Sequence, residues 1–301
     1  MTQKQDTNLN LLFSFAKRVR RPLLLDGAMG SFLQLNGIQP HPTIWMSYAN
    51  ITHPEEVMKA HQAYIKAGAD IITTNTFRTN PVSLKSSEEK IICRDFVKRS
   101  VNLAKSAVEG KNILIAGSNP PAEDCYQVKR IITKKELQIN HAEHIEYLMD
   151  SGCNFVLNET QSHLDEILFI SKFCSKNSIP FIMSLYFTPE LMLLSGENLF
   201  DVLPRIEEFV PLAIGLNCIS PGTFQRIFHR INADTSWGFY LNCGSRDFES
   251  DTIECGISPE NYSSAAKPYL RKNPAFIGSC CGSSPKYTKE LKKLLDEKNN
   301  N

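Results

Sequence analysis

The sequence predicts an α/β protein folded as a single (β/α)8 TIM barrel. Three observations carry the prediction: eight short apolar runs of strand length, amphipathic helical stretches between them, and nearly continuous hydrophobicity within each run. Strands apolar on both faces are buried on both faces, the condition of a parallel sheet sheathed by helices. An eightfold alternation closes most simply as a barrel, which takes about 250 residues. The competing open sheet would carry G-x-G-x-x-G after its first strand, and "DGAMGS" at 26–31 has the wrong spacing for it.

The first strand is LLLDG (23–27). THPEEVMKAHQAYIKAG (52–68) follows as a helix: Thr52 and Glu55 stand at capping-box spacing, Val57, His61, Tyr64 and Ile65 share a face, and Gly68 stops it. DIITTNTF (70–77), NILIAGS (112–118) and NFVLNET (154–160) are the second to fourth strands. SHLDEILFISKFC (162–174) starts a helix at Ser162 with Leu164, Ile167 and Leu168 in phase. IPFIMSL (179–185), LAIGLNC (212–218), WGFYLNC (237–243) and AFIGSCC (275–281) complete the eight. SPENYSSAAKPYLRK (258–272), with a kink expected at Pro268, and SPKYTKELKKLLDEK (284–298) are the last helices. The division expected is an N-terminal extension over 1–21, helical or packed on the barrel, the barrel over 22–298, and a frayed tail over 299–301.

The chain has 301 residues, 42% hydrophobic and 22% charged, with a formal net charge of +1. No field of one sign points to nucleic acid or an anionic membrane, so a small-molecule substrate fits better. The apolar core of the N-terminal segment spans five residues and is interrupted by Ser14, too short for an export signal or a membrane span; a cytoplasmic location is expected. Nine cysteines, an odd number without an export signal, argue for reduced thiols rather than a disulfide framework.

In a barrel the reactive face lies at the C-terminal ends of the strands. That places Asp26, Asn75, Glu159, Cys218, Asn242, Cys280 and Cys281 around one mouth. Three thiols on separate strand ends make a partial shell for Zn2+, which prefers tetrahedral sulfur and nitrogen ligands and keeps one position open when catalytic. No C-x-x-C pair occurs, so the ligands must meet through tertiary structure, and Gly278 and Gly282 would let the backbone turn both adjacent thiols toward one ion. The plainer alternative is that neighbouring cysteines are small buried hydrophobes.

"LLLDGAMG" (23–30), "AGADIITTNTF" (67–77), "GLNC" (215–218) and "GSCCG" (278–282), in that order and spacing, resemble the homocysteine S-methyltransferase family. The likeness runs from residue 22 to about 295. It implies a zinc-dependent (β/α)8 barrel with Cys218, Cys280 and Cys281 as ligands and homocysteine sulfur at the open position. It also implies that Asp26 and Glu159 grip the amino acid, with Asn75 and backbone amides near Gly27 completing the grip. Metal binding would make the thiolate available at neutral pH, where a free thiol has a pKa of about 8.5. Trp45 matches a tryptophan in the loop after the first strand, whose face would suit a cationic methyl donor.

The resemblance leaves several donors open. A free-standing enzyme using a sulfonium, S-methylmethionine or S-adenosylmethionine, is the first expectation, since no room remains for folate-binding or cobalamin-binding domains. Betaine, or a separate corrinoid partner carrying a methylfolate-derived methyl, is the second; "YLNCGSRDFES" resembles the cobalamin-dependent relatives at least as well. A non-catalytic zinc-stabilised barrel that binds a protein is the alternative of another class, its site closed by a fourth ligand such as Cys243. Plainer roles also exist for single residues: Asp26 as acceptor for a glycine turn, Glu159 as a helix-entry cap, Trp45 as packing, Cys243 and Cys255 as bystanders. His141 and His144, at i and i+3, are read as helix packing rather than metal ligands. Ala28 and Ser279 stand where the family has glycine, and "GSNPPAEDCYQVKR" (117–130) lacks the G-P-Y-G-like run, which bears on the donor side of the pocket.

Overall fold

The computed structural model describes residues 5–231, 236–243 and 256–299. The eight runs form eight strands: β1 Leu23–Leu24, β2 Ile71–Thr73, β3 Leu114–Asn119, β4 Phe155–Gln161, β5 Phe181–Leu185, β6 Ala213–Asn217, β7 Trp237–Leu241 and β8 Phe276–Ser279. They pair in parallel in the order β1-β8-β7-β6-β5-β4-β3-β2. A Leu25–Ile71 bridge completes the ring, flanked by Asp26 N–H donating to Ile71 O (2.9 Å) and Asp70 N–H to Leu24 O (2.8 Å). At the N-terminal end of this seam the Arg21 guanidinium meets the Asp70 carboxylate at 2.6 and 3.1 Å, and Asp70 also accepts from Leu24 N–H at 2.8 Å.

Several strands are shorter than their apolar runs. After Thr73 the chain leaves the ladder because its polar side chains bond elsewhere: Thr74 and Thr76 hydroxyls meet at 2.7 Å, and Thr76 donates to Ser118 O at 2.7 Å. β4 carries a register shift between Asn158 and Gln161, a bulge of the kind that re-aims side chains beside functional sites. Two glycines permit close packing of the barrel wall. A Cβ on Gly238 would stand 2.4 Å from the Phe276 ring, and one on Gly215 would stand 2.5 Å from Ser184 Oγ.

The helix expected over 52–68 spans Pro54–Ala67. Its capping box does not form: His53 is the N-cap, Pro54 occupies the first turn, and Thr52 ends a preceding short helix with its hydroxyl on Tyr48 O. Proline's fixed φ sets the start here, ahead of the Thr52/Glu55 spacing. Gly68 does stop the helix, in the left-handed conformation. The helix expected from Ser162 spans Leu164–Lys176 with His163 at its N-cap. Pro268 changes the helix type rather than kinking it, as Pro259–Ala266 passes into a 3-10 segment over Lys267–Lys272. Helix Gln5–Val19 precedes the barrel and buries Leu12 and Phe15 in its core. The last helix, Pro285–Asn299, includes the first residue of the expected tail; residues 300 and 301 lie outside the described residues.

His141 and His144 are fully buried in a polar layer between the barrel and its helices. Asn119 carries this layer: Oδ1 bonds His144 Nδ1 (2.9 Å), while Nδ2 reaches His141 Nδ1 (3.1 Å) and donates to Asn158 Oδ1 (2.7 Å). Thr79 takes the other His144 nitrogen at 2.8 Å and Glu166 the other His141 nitrogen at 2.7 Å. Every ring nitrogen of the pair is thus engaged by protein, which accounts for both as packed histidines. Among the described residues no helix is long and apolar enough to cross a membrane.

Candidate active site

The C-terminal ends of the strands open into a cavity of about 640 Å3. Cys218, Cys280 and Cys281 line it, as do Asp26, Gly27, Trp45, Asn75, Glu159 and Asn242, so every site residue expected from the sequence borders one space.

Cys218 lies one residue beyond β6, with φ 53° and its N–H donating to Tyr240 O at 3.3 Å. Cys280 follows β8 and donates from its N–H to Leu241 O at 2.8 Å, and Gly282 turns the chain at φ 83°. Gly278 plays a different part from the turn expected of it: it is within β8, and a Cβ there would come 2.9 Å from Leu25 Cβ. The three sulfurs lie within 4.8 Å of one another, with Cys281 Sγ 3.8 Å from Cys218 Sγ and 3.9 Å from Cys280 Sγ. Sulfurs at about 2.3 Å from a tetrahedral ion stand about 3.8 Å apart, so Cys281 is spaced as a ligand to both partners. The ends of β6 and β8, which flank β7, bring the Cα atoms of Cys218 and Cys280 to 5.7 Å and their sulfurs into direct contact, so the three cysteines form one sulfur cluster. Cys243 stays outside the cluster, its sulfur 3.5 Å from Cys281 O. Cys255 and most of "YLNCGSRDFES" lie outside the described residues.

Two carboxyl groups stand in the same cavity wall, Asp26 buried and Glu159 half-buried. Asp26 accepts from Thr73 N–H on Oδ2 (2.8 Å) and from Thr73 Oγ1 (3.0 Å), so it serves the β1–β2 seam rather than a glycine turn. Burial pushes its carboxyl well above the usual range, and the Glu159 charge adds to that. Glu159 sits on the β4 bulge, which sets aside a helix-capping role. Its Oε1 accepts from the Ser118 hydroxyl, and its Oε2 faces Tyr240 OH at 3.5 Å. Burial raises its carboxyl to about 7 against the pull of those two hydrogen bonds. An ammonium group entering here would find two acceptors made costly by burial, and pairing would favour their charged forms. Asn75 lines the cavity with its amide nitrogen committed to Met46 O (2.9 Å) and Asn50 Oδ1 (3.2 Å), which holds the turn bearing Trp45. Gly27 is packed tightly: a Cβ would meet Ser283 Oγ at 2.7 Å and the Tyr64 ring at 2.8 Å.

Trp45 lies over Gly30, where a Cβ would approach its ring to 2.2 Å, and meets Phe77 edge-on at 6.3 Å between centroids. The loop after β3, which departs from the family run, adds Asp124, Cys125 and Tyr126 to the lining. Glu166 accepts from Ala122 N–H at 2.8 Å and Arg78 binds Glu123 O at 2.9 Å, anchoring that loop from both sides. Burial raises the Cys125 thiol to about 12, so it contributes shape rather than a nucleophile. Ser118, Tyr240 and Phe77 are site residues that the sequence reading missed. Each sits in or beside a strand run, and inward alternation along the strand was the available signal.

A (β/α)8 barrel with three strand-end cysteine sulfurs and two carboxyl groups on one cavity has the donor set that could hold a metal ion beside a polar substrate. The homocysteine S-methyltransferase family model matches residues 23–295, and the chain belongs to that family. Homocysteine S-methyltransferase 4 of Zea mays is 23% identical, over 95% of this chain and 93% of its own length. Homocysteine S-methyltransferase YbgG of Bacillus subtilis is 22% identical, over 89% and 93%. Among solved structures, the homocysteine methyltransferase MmuM from Escherichia coli in its metallated form has TM-score 0.74 at 23% identity, covering 90% of this chain and 96% of that one. Its oxidized form has TM-score 0.75 at 22% identity, covering 90% and 95%. The structural likeness extends to the fold.

Proposed function

We propose that this protein transfers a methyl group from a sulfonium donor, S-methylmethionine or S-adenosylmethionine, to the sulfur of homocysteine, forming methionine, with Zn2+ held by Cys218, Cys280 and Cys281. The observation that carries the reading is the placement of three sulfurs and two carboxyl groups on one cavity. Zinc, when bound, supplies the Lewis acidity that keeps the acceptor sulfur a thiolate at neutral pH. Asp26 and Glu159 hold the ammonium end of homocysteine, and Gly27 and Asn75 shape the adjoining wall. Trp45 and Phe77 present ring faces and edges to a cationic methyl donor. The acceptor sulfur's lone pair forms the new C–S bond as the donor's C–S bond breaks, its electron pair leaving on the donor sulfur as a neutral thioether. No protein base touches the methyl group, so catalysis is a matter of in-line placement. Holding the ion requires all three cysteines as thiolates, a requirement that suits a reducing cytoplasm.

The test is zinc X-ray absorption on the reduced, zinc-loaded protein before and after homocysteine is added. The expected result is a change from three sulfurs and one light atom to four sulfurs. A four-ligand shell that homocysteine leaves unchanged would overturn the reading and favour a non-catalytic barrel.

A further inference from the structure

Behind the cavity a buried chain of hydrogen bonds runs between the sulfur site and the carboxyl site. Asn217, wholly buried and absent from the cavity lining, is its hub. Its Oδ1 accepts from Ser184 Oγ at 2.7 Å and from Thr160 N–H at 3.1 Å, and its Nδ2 donates to Thr160 Oγ1 at 2.9 Å. Thr160 directly follows Glu159, and Asn217 directly precedes Cys218. On its far side the Tyr240 hydroxyl of β7 faces Glu159 Oε2 at 3.5 Å. Three neighbouring strands, β4 to β6, are joined through Asn217. Gly215 makes the crossing possible, since a side chain there would displace Ser184.

Two residues beside Asn217, one bonded to it and one next to it in the chain, have unusual backbones. Thr160 has φ 60° and Cys218 has φ 53°, in the left-handed region that non-glycine residues avoid and a β-branched threonine avoids most. Such conformations persist only where the surroundings impose them. Both heads of the Asn217 carboxamide grasp Thr160, and its own peptide leads into Cys218. One buried amide therefore sets the direction of the Glu159 side chain and of the Cys218 thiol together.

Resting on the function proposed above, we infer that Asn217 is a positioning residue that fixes the spacing between the sulfur site and the ammonium site. It thereby sets the preference for homocysteine over cysteine, the amino thiol one methylene shorter. A ligand anchored at both ends measures the distance between its anchors. A rigid site discriminates one methylene by about 10- to 200-fold, and a site whose anchors drift loses that discrimination.

The test measures the dissociation constants of homocysteine and cysteine by calorimetry on the reduced zinc-loaded protein, after metal content is verified, for wild type, Asn217→Ala and Ser184→Ala. Methyl-transfer kcat/KM with each thiol is measured alongside. The expected result is that Asn217→Ala keeps its zinc and loses about 10-fold or more in homocysteine affinity, while cysteine affinity changes much less. Ser184→Ala should shift the preference in the same direction by a smaller factor. Equal weakening toward both thiols, or an unchanged preference, would overturn the inference and leave Asn217 a purely structural residue. Should Asn217→Ala fail to fold, Ser184→Ala decides: an unchanged preference there overturns the inference. A wild-type protein that binds neither thiol would instead overturn the proposed function on which the inference rests.

Discussion

Replacing Glu159 by glutamine should stabilise the ligand-free protein above neutral pH while weakening its hold on homocysteine. The Glu159 side chain is half-buried in the cavity wall, and desolvation there raises its carboxyl to about 7, against an ordinary 4.5. Between those values the folded chain holds a proton that the unfolded chain has released, so stability falls as pH rises through the window. At about 1.4 kcal/mol per pH unit, the loss is about 3 kcal/mol once pH exceeds 8. Glutamine cannot ionise, and the Ser118 and Tyr240 hydroxyls can rotate to meet its amide. The stability gap between Glu159→Gln and wild type should therefore widen by about 2 kcal/mol between pH 5 and pH 8. For a chain of this size that is about 4 °C in Tm. Thermal unfolding at both pH values, without added thiol, measures it. A gap that stays constant, or that favours wild type at pH 8, would refute the reasoning. The same charge is useful once ligand arrives, so wild-type homocysteine affinity should strengthen as pH passes 7 and Glu159→Gln should lack that component.

The donor wall and the metal site give further expectations. In Gly30→Ala the new Cβ would stand 2.2 Å from the Trp45 ring and drive the indole aside. Donor KM should rise about 10-fold with homocysteine affinity unchanged, and an unchanged donor KM would return Trp45 to a packing role. Cys281→Ala removes the sulfur that stands 3.8 and 3.9 Å from its two neighbours. Zinc per chain by elemental analysis should fall to background while far-ultraviolet circular dichroism stays that of the barrel; full zinc retention would refute the ligand assignment.

Much of the architecture was legible because burial on both faces leaves a simple mark. All eight apolar runs became strands, and the strand-end rule gathered Cys218, Cys280, Cys281, Asp26 and Glu159 on one cavity before any contact was known. What was illegible depends on register and on three-dimensional packing. Nothing in WGFYLNC marks Tyr240 as the neighbour of Glu159, because that contact spans the cavity from β7 to β4. The Thr52/Glu55 spacing misled because Pro54 fixed the helix start first. Asn217 was read as a letter of the GLNC motif, and only its hydrogen bonds to Ser184 and Thr160 give it a task. The stacking of Trp45 on Gly30 was equally hidden, since it joins residues across a turn.

The seam between β1 and β2 links recognition to architecture. β1 contributes only two ladder residues, and beyond them the Asp26 carboxylate itself grips Thr73 of β2. The group proposed to greet the incoming amino acid is thus also a clasp on the hoop of the barrel. An ammonium that settles on Asp26 would tighten the joint by keeping its carboxylate charged. Altering acceptor choice at this position would mean re-fastening the barrel in the same step, which makes Asp26 a far less free site for redesign than Trp45 or the loop after β3.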